Sequence, residues 1–118
     1  MYAAAFQDHF LHPRGQGSLA RPTHQGEAED PACGDCLALD LVVEGGVVRE
    51  ARFRVKGCPG AIAVGSALVT LLPGRAASED AVSAEEIERT LGGIPRVKRH
   101  ALRLARSALA AALASPLM

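Results

Sequence analysis

Tryptophan and asparagine are absent from this chain, and its 118 residues include only one tyrosine and three phenylalanines. With no aromatic platform on which bases stack, and no fold motif for the task, nucleic-acid binding has no support. The core must be built from Leu, Val, Ile and Ala. Net charge is lacking too. The 13 basic and 13 acidic residues cancel, so nothing draws the chain as a whole toward nucleic acid or a membrane surface. No apolar run approaches the roughly 20 residues that span a bilayer. The opening Met1-Tyr2-Ala3-Ala4-Ala5-Phe6 has no basic start and Asp8 soon follows, which is not the pattern of a secretory leader. The expectation is one cytoplasmic domain over residues 1–118 with reduced thiols. Cysteine is scarce as well. Three residues, an odd number, argue against a disulfide framework.

The few cysteines are placed for chemistry. Cys33-Gly34-Asp35-Cys36 carries a C-x2-C spacing that lets two sulfurs reach one metal. A thioredoxin-like pair would open a helix after a strand, whereas this one follows an irregular stretch and precedes a strand. Cys36 alone could pack as a small hydrophobe. Cys33, between Pro31-Ala32 and Gly34-Asp35, suits that role poorly. Cys58, in Lys56-Gly57-Cys58-Pro59-Gly60, falls where a strand meets a helix N-terminus, and free amides there favour thiolate and bound anions. His100 lies early in the last helix beside Lys98 and Arg99, which hinder its protonation and keep its nitrogens available. A lone histidine is more often a surface or packing residue. Asp35 is an oxygen donor between softer ones, or a turn cap.

Around these residues the pattern is α+β. Tyr2, Phe6 and Phe10 recur every four residues as a short amphipathic helix, stopped by His12-Pro13. Residues 13–32 show no period and read as a loop, with Glu27, Glu29 and Asp30 an acidic stretch before the first cysteine. Leu37–Val43 and Val47–Val55 form a hairpin across Glu44-Gly45-Gly46. Ala61–Leu72 is apolar nearly all round and reads as a buried helix. Ser83-Ala84-Glu85-Glu86 is a capping box that opens a short helix to Leu91. The last helix is expected from about Arg96 to Ala114, with Val97, Ala101, Leu104, Ala108 and Ala111 facing the core. Residues 93–118 hold Arg96, Lys98, Arg99, Arg103 and Arg106 and no acid. This is a solvated face or a dock for an acidic partner.

Together these residues resemble the iron–sulfur scaffold family of IscU and the NifU N-terminal domain, over nearly the whole chain. Tyr2, Asp8-His9-Phe10, Pro13-Arg14 and Gly17-Ser18 resemble its opening helix and loop. Pro31-Ala32-Cys33-Gly34-Asp35 and Gly57-Cys58 with Ala61-Ile62-Ala63 and Ser66 match its two cysteine signatures. Ile94-Pro95-Arg96-Val97-Lys98 resembles its segment for a DnaK-type chaperone. His100-Ala101 falls on its His-Cys pair, with the cysteine replaced. The resemblance implies a small antiparallel sheet of about three strands covered by helices. It implies a scaffold or carrier, rather than an enzyme, that holds a labile cluster, chiefly 2Fe-2S, and passes it to apoprotein clients. Sulfur would come from a cysteine desulfurase, and zinc can occupy the same site. Cys33, Asp35, Cys58 and His100 would surround that site, and Cys36 is the candidate replacement for the thiol missing at Ala101. The rival readings are a zinc-binding paralogue and a persulfide-accepting component without scaffold activity.

Overall fold

The structure, a computed structural model, describes residues 2–117. Met1 and Met118, the ends of the expected domain, lie outside the described residues. Helix α1 (Ala4–Leu11) is followed by strands β1 (His24–Glu29), β2 (Cys36–Glu44) and β3 (Val47–Lys56). Helices α2 (Pro59–Leu71) and α3 (Ala84–Thr90), a 3-10 turn over Arg96–Lys98 and α4 (His100–Leu113) complete the order. The strands form one antiparallel sheet in the order β1-β2-β3. The expected α+β class and three-stranded sheet are borne out. Helix α4 packs over β1 and β2, α2 over β3, and α1 and α3 against α2.

Strand β2 alternates as its sequence predicts. Leu37, Leu39 and Leu41 are fully buried under the helices, while Cys36, Ala38 and Asp40 face the other side. In β3 the alternation changes phase. A bulge where Val42 and Val43 of β2 meet Glu50 and Val48 puts the extra residue, Arg49, on β3 and turns Val48 inward with Phe53. Gly45 and Gly46, at φ 60° and 75°, make the two-residue turn that matches strand twist.

Residues 13–32 are not wholly a loop. His24–Glu29 pair with Leu41–Cys36 along β2 as an edge strand. Gly26 and Ala28 on its inward side are small because α4 lies very close: a Cβ on Gly26 would stand 2.3 Å from the Ala112 backbone nitrogen. Before β1, Gly15 and Gly17 bond the backbone of Phe53 on the opposite edge. The chain then crosses the outer face of the sheet, where buried Asp40 accepts from the Leu19 amide, Gln25 and Arg54.

The capping box is half formed. Ser83 Oγ accepts from the Glu86 amide at 3.1 Å, but the Glu86 carboxylate turns to Arg75 instead. The last helix begins later than expected, at His100, because Arg96–Lys98 wind as a 3-10 turn. That tighter winding moves Val97 out of the core stripe, and it is 76% exposed. Ala101, Leu104 and Ala108 are buried, with Ala112 rather than Ala111 completing the stripe.

Candidate metal centre

Three segments converge at one end of the sheet. The first is the loop joining β1 to β2. The Asp30 amide donates to the Asp35 carbonyl and the Gly34 amide to the Asp30 carbonyl, both at 2.7 Å. Gly34 takes φ 77°, in the left-handed region. This tight turn presents Asp30, Cys33 and Asp35. The second segment is the start of α2, where Cys58 is the N-cap and Pro59 follows in the first turn. The Cys58 side chain makes no capping bond, so its sulfur is not spent on the helix. The third is the first residue of α4, His100.

These side chains form two overlapping groups. Donor atoms of Asp35, Cys58 and His100 lie within 4.8 Å of one another, and so do those of Asp30, Cys33 and His100. His100 Nε2 stands 3.7 Å from Asp35 Oδ2. It is buried and has no hydrogen-bond partner among the described residues. Such a nitrogen is costly to leave unpaired, and a metal ion would satisfy it. Tetrahedral zinc takes sulfur, nitrogen and oxygen donors of these kinds, and cysteine-held clusters accept histidine in place of thiolate. The donor set fits both.

Carboxylates and thiols at close range shape the electrostatics here. Burial pushes the Asp35 carboxyl up, but donors at Cys58, its thiol and its amide, and at Cys33 outweigh this and hold it below its ordinary value. The Asp35 amide pulls the Cys33 thiol down. Burial and the carboxylates of Asp35 and Asp30 more than reverse this and leave it raised. A bound cation inverts that balance. Exposure also differs between the groups: Cys33 is exposed, Cys58 partly covered, and Asp35 buried.

Cys36 is not brought to this cluster. It is the first residue of β2, one position on from Asp35, so alternation sends its side chain to the outer face of the sheet. There its Sγ lies 3.9 Å from Glu27 Oε2. Burial, with Glu27 and Glu29, pushes its thiol up, and Lys56 opposes them. Ala101, one residue beyond His100, is fully buried in the core. Two contributors went unread in the sequence. Asp30 reads in the sequence only as part of an acidic stretch before the first cysteine. Gly57 lets the Asp35 carboxylate lie against the backbone leading to Cys58: a Cβ there would meet Asp35 Cγ at 2.5 Å. The Cys58 amide reaches Asp35 Oδ2 at 3.4 Å.

Residues 1–116 match the family model of the NifU-like N terminal domain. The chain belongs to this family. It is 44% identical over 109 residues to the nitrogen fixation protein NifU of Cereibacter sphaeroides, which covers 92% of this chain. The chain spans only 44% of that relative and 23% of the bifunctional NifU/MnmA protein of Rubrobacter xylanophilus. Against the iron-sulfur cluster assembly scaffold protein IscU of Haemophilus influenzae it is 34% identical over 122 residues, covering 96% of this chain and 93% of that one. Among solved structures, a protein described as an iron-sulfur cluster assembly scaffold for the SUF system of Fervidobacterium islandicum superposes with a TM-score of 0.76. That match covers 95% of this chain and 96% of the other at 17% identity, a likeness of NifU-like N-terminal fold. No helix among the described residues is long and apolar enough to cross a membrane.

Proposed function

We propose that this NifU-like domain, residues 1–118, is a scaffold or carrier on which a labile iron–sulfur cluster is assembled and from which it passes to apoprotein clients. The observation that carries this is the convergence of Cys33, Cys58 and two carboxylates on one imidazole whose buried Nε2 has no partner among the described residues. Cys33 and Cys58 supply thiolates, and Asp35 and His100 complete the set. Mixed, partly exposed ligation favours a cargo that leaves over one held permanently. A 2Fe-2S cluster matches the number of donors. Sulfur would arrive from a cysteine desulfurase. The exposed Val97 within Ile94–Lys98 offers a DnaK-type chaperone an apolar handle next to the site. Work in the cytoplasm agrees with three free thiols.

The test is anaerobic reconstitution with iron and sulfide. Sulfide-to-iron absorption is expected in the wild type and its loss in Cys58→Ala. A wild-type chain that gains no such absorption overturns the reading. A zinc-binding role is favoured by one feature, that Asp35, Cys58 and His100 bring together an oxygen, a sulfur and a nitrogen donor of the kinds zinc takes. Tight zinc that resists exchange with iron would decide for it. A thiol that accepts persulfide without cluster binding is the third reading, and a sulfur adduct in the mass spectrum with no cluster would decide for that.

A further inference from the structure

The exposed side of α4 carries charge that the metal centre does not use. Residues 93–118 hold Arg96, Lys98, Arg99, Arg103 and Arg106 and no acid. Helix α4 buries Ala101, Leu104, Ala105 and Ala108 and leaves Arg103, Arg106 and Ser107 exposed. Between α4 and the start of α3 lies a groove of about 610 Å³, and where α4 begins it reaches His100. Arg99, Arg103 and Arg106 line it against one acid, Glu79, with Ala84, Leu102 and Ala110 as its apolar part. We propose that this groove docks an acidic segment of a partner protein, an extended stretch with carboxylates at alternate positions. That the partner is a client brought to the cluster site rests on the scaffold reading; the docking itself does not.

The first support is spacing. Arg99, Arg103 and Arg106 are four and three residues apart and so share one face. At a rise of about 1.5 Å per residue the row spans about 10 Å. Alternate residues of an extended chain stand roughly 6.6 Å apart, so two or three carboxylates on alternate positions match the row.

The second is which charges are open to a partner. Arg99 donates to Glu88 at 2.6 Å, and Arg106 lies 3.6 Å from Asp80. The Asp80 side chain is 94% exposed, so that pair is screened and exchanges readily for another carboxylate. Arg103, between them in the row, makes no ion pair or side-chain hydrogen bond among the described residues. The third is the lining. No aromatic side chain is there for a base to stack on, whereas the alanines and Leu102 suit the small apolar side chains between carboxylates.

The probe is a fluorescein-labelled peptide of alternating glutamate and alanine, titrated with the full chain and read by fluorescence anisotropy. Saturable binding is expected at low salt, weakening by about tenfold or more as salt rises to about 0.15 M. The same peptide with glutamine for glutamate should not bind. Arg103→Glu together with Arg106→Glu should weaken binding by about tenfold or more. Arg49→Glu with Arg52→Glu makes the same change in net charge at exposed positions of β3 and should leave binding as it is. Circular dichroism checks that the α4 variant is folded; should it not be, Arg103→Gln alone carries the test and should still weaken binding. The dock is overturned by an acidic peptide that does not bind saturably, or by α4 variants that bind as wild type does. It is overturned too by inorganic phosphate that displaces the peptide at the peptide's own concentration, which marks a small-anion site. None of these outcomes touches the scaffold reading, which the reconstitution with iron and sulfide decides separately.

Discussion

Asp35 and Cys36 are chain neighbours with opposite fates, and the difference is parity. Asp35 ends a turn facing the α2 N-terminus, whereas Cys36 opens a strand whose next side chain, Leu37, is core. Sequence spacing alone treats C-x2-C as a unit; the start of β2 splits it. Cys33, Asp35 and Cys58 stand beside glycines in short signatures and His100 at the His-Cys position, and the fold brings the four to one end of the sheet in two groups that share His100. Asp30 is not legible in that way, because a carboxylate in an acidic run looks solvated until the β1–β2 turn is seen to place it. Gly57 stands in the Cys58 signature with no sign there of what its missing side chain does. Its role is close approach, which yields a prediction. In Gly57→Ala the new methyl must displace the Asp35 carboxylate. Zinc affinity, measured by competition with a chromophoric chelator, should fall by about tenfold or more, while the helical circular dichroism stays as it is.

Elements were readable in proportion to their apolar content. The Leu37–Val43 strand, the buried helix after Cys58 and the capped helix after Ser83 all appear within two residues of expectation. Strand β1 did not, for a physical reason. Its inward residues are His24, Gly26 and Ala28, with no β-branched or large apolar side chain, because α4 rests almost on the strand backbone. A strand that buries no bulk has no period to read. That contact is testable. Gly26→Ala puts a methyl into the Ala111–Ala112 backbone, where nothing can rotate aside. It should destabilise the fold by about 1–3 kcal/mol, read as a lower midpoint in urea unfolding. The last helix failed only in its first turn, where the 3-10 winding set Val97 outside.

For the whole molecule, the opening helix is tied to the core by a polar pin. His9 Nδ1 and the Arg14 amide both meet Ser66 Oγ, at 2.7 and 2.8 Å, and His9 is buried. Burial first, then the charge of Arg14, push the His9 imidazole below its ordinary value against the pull of Asp8. Linkage fixes the sign. Above an unfolded value of about 6.5 both states are neutral and His9 adds no slope. As pH falls through that value the unfolded chain takes the proton first, so stability declines, and it levels off below the folded value. Urea unfolding at steps from pH 7.5 to 5 should show this decline, and His9→Gln should flatten it. The buried Asp40 carboxylate is pushed up by burial yet held low by Arg54, Leu19 and Gln25. Its loss falls at more acid pH, outside that window.

The Asp30–Asp35 turn does two jobs with the same atoms. It closes the β1–β2 hairpin through its backbone and brackets the site through its side chains. On the proposed reading, thermodynamic reciprocity links the edge strand to a bound ion: whatever free energy an ion gains from a closed turn, the turn gains from the ion. Release of such an ion would then leave the first strand more loosely zipped, so that letting go and the slackening of one sheet edge would be a single event.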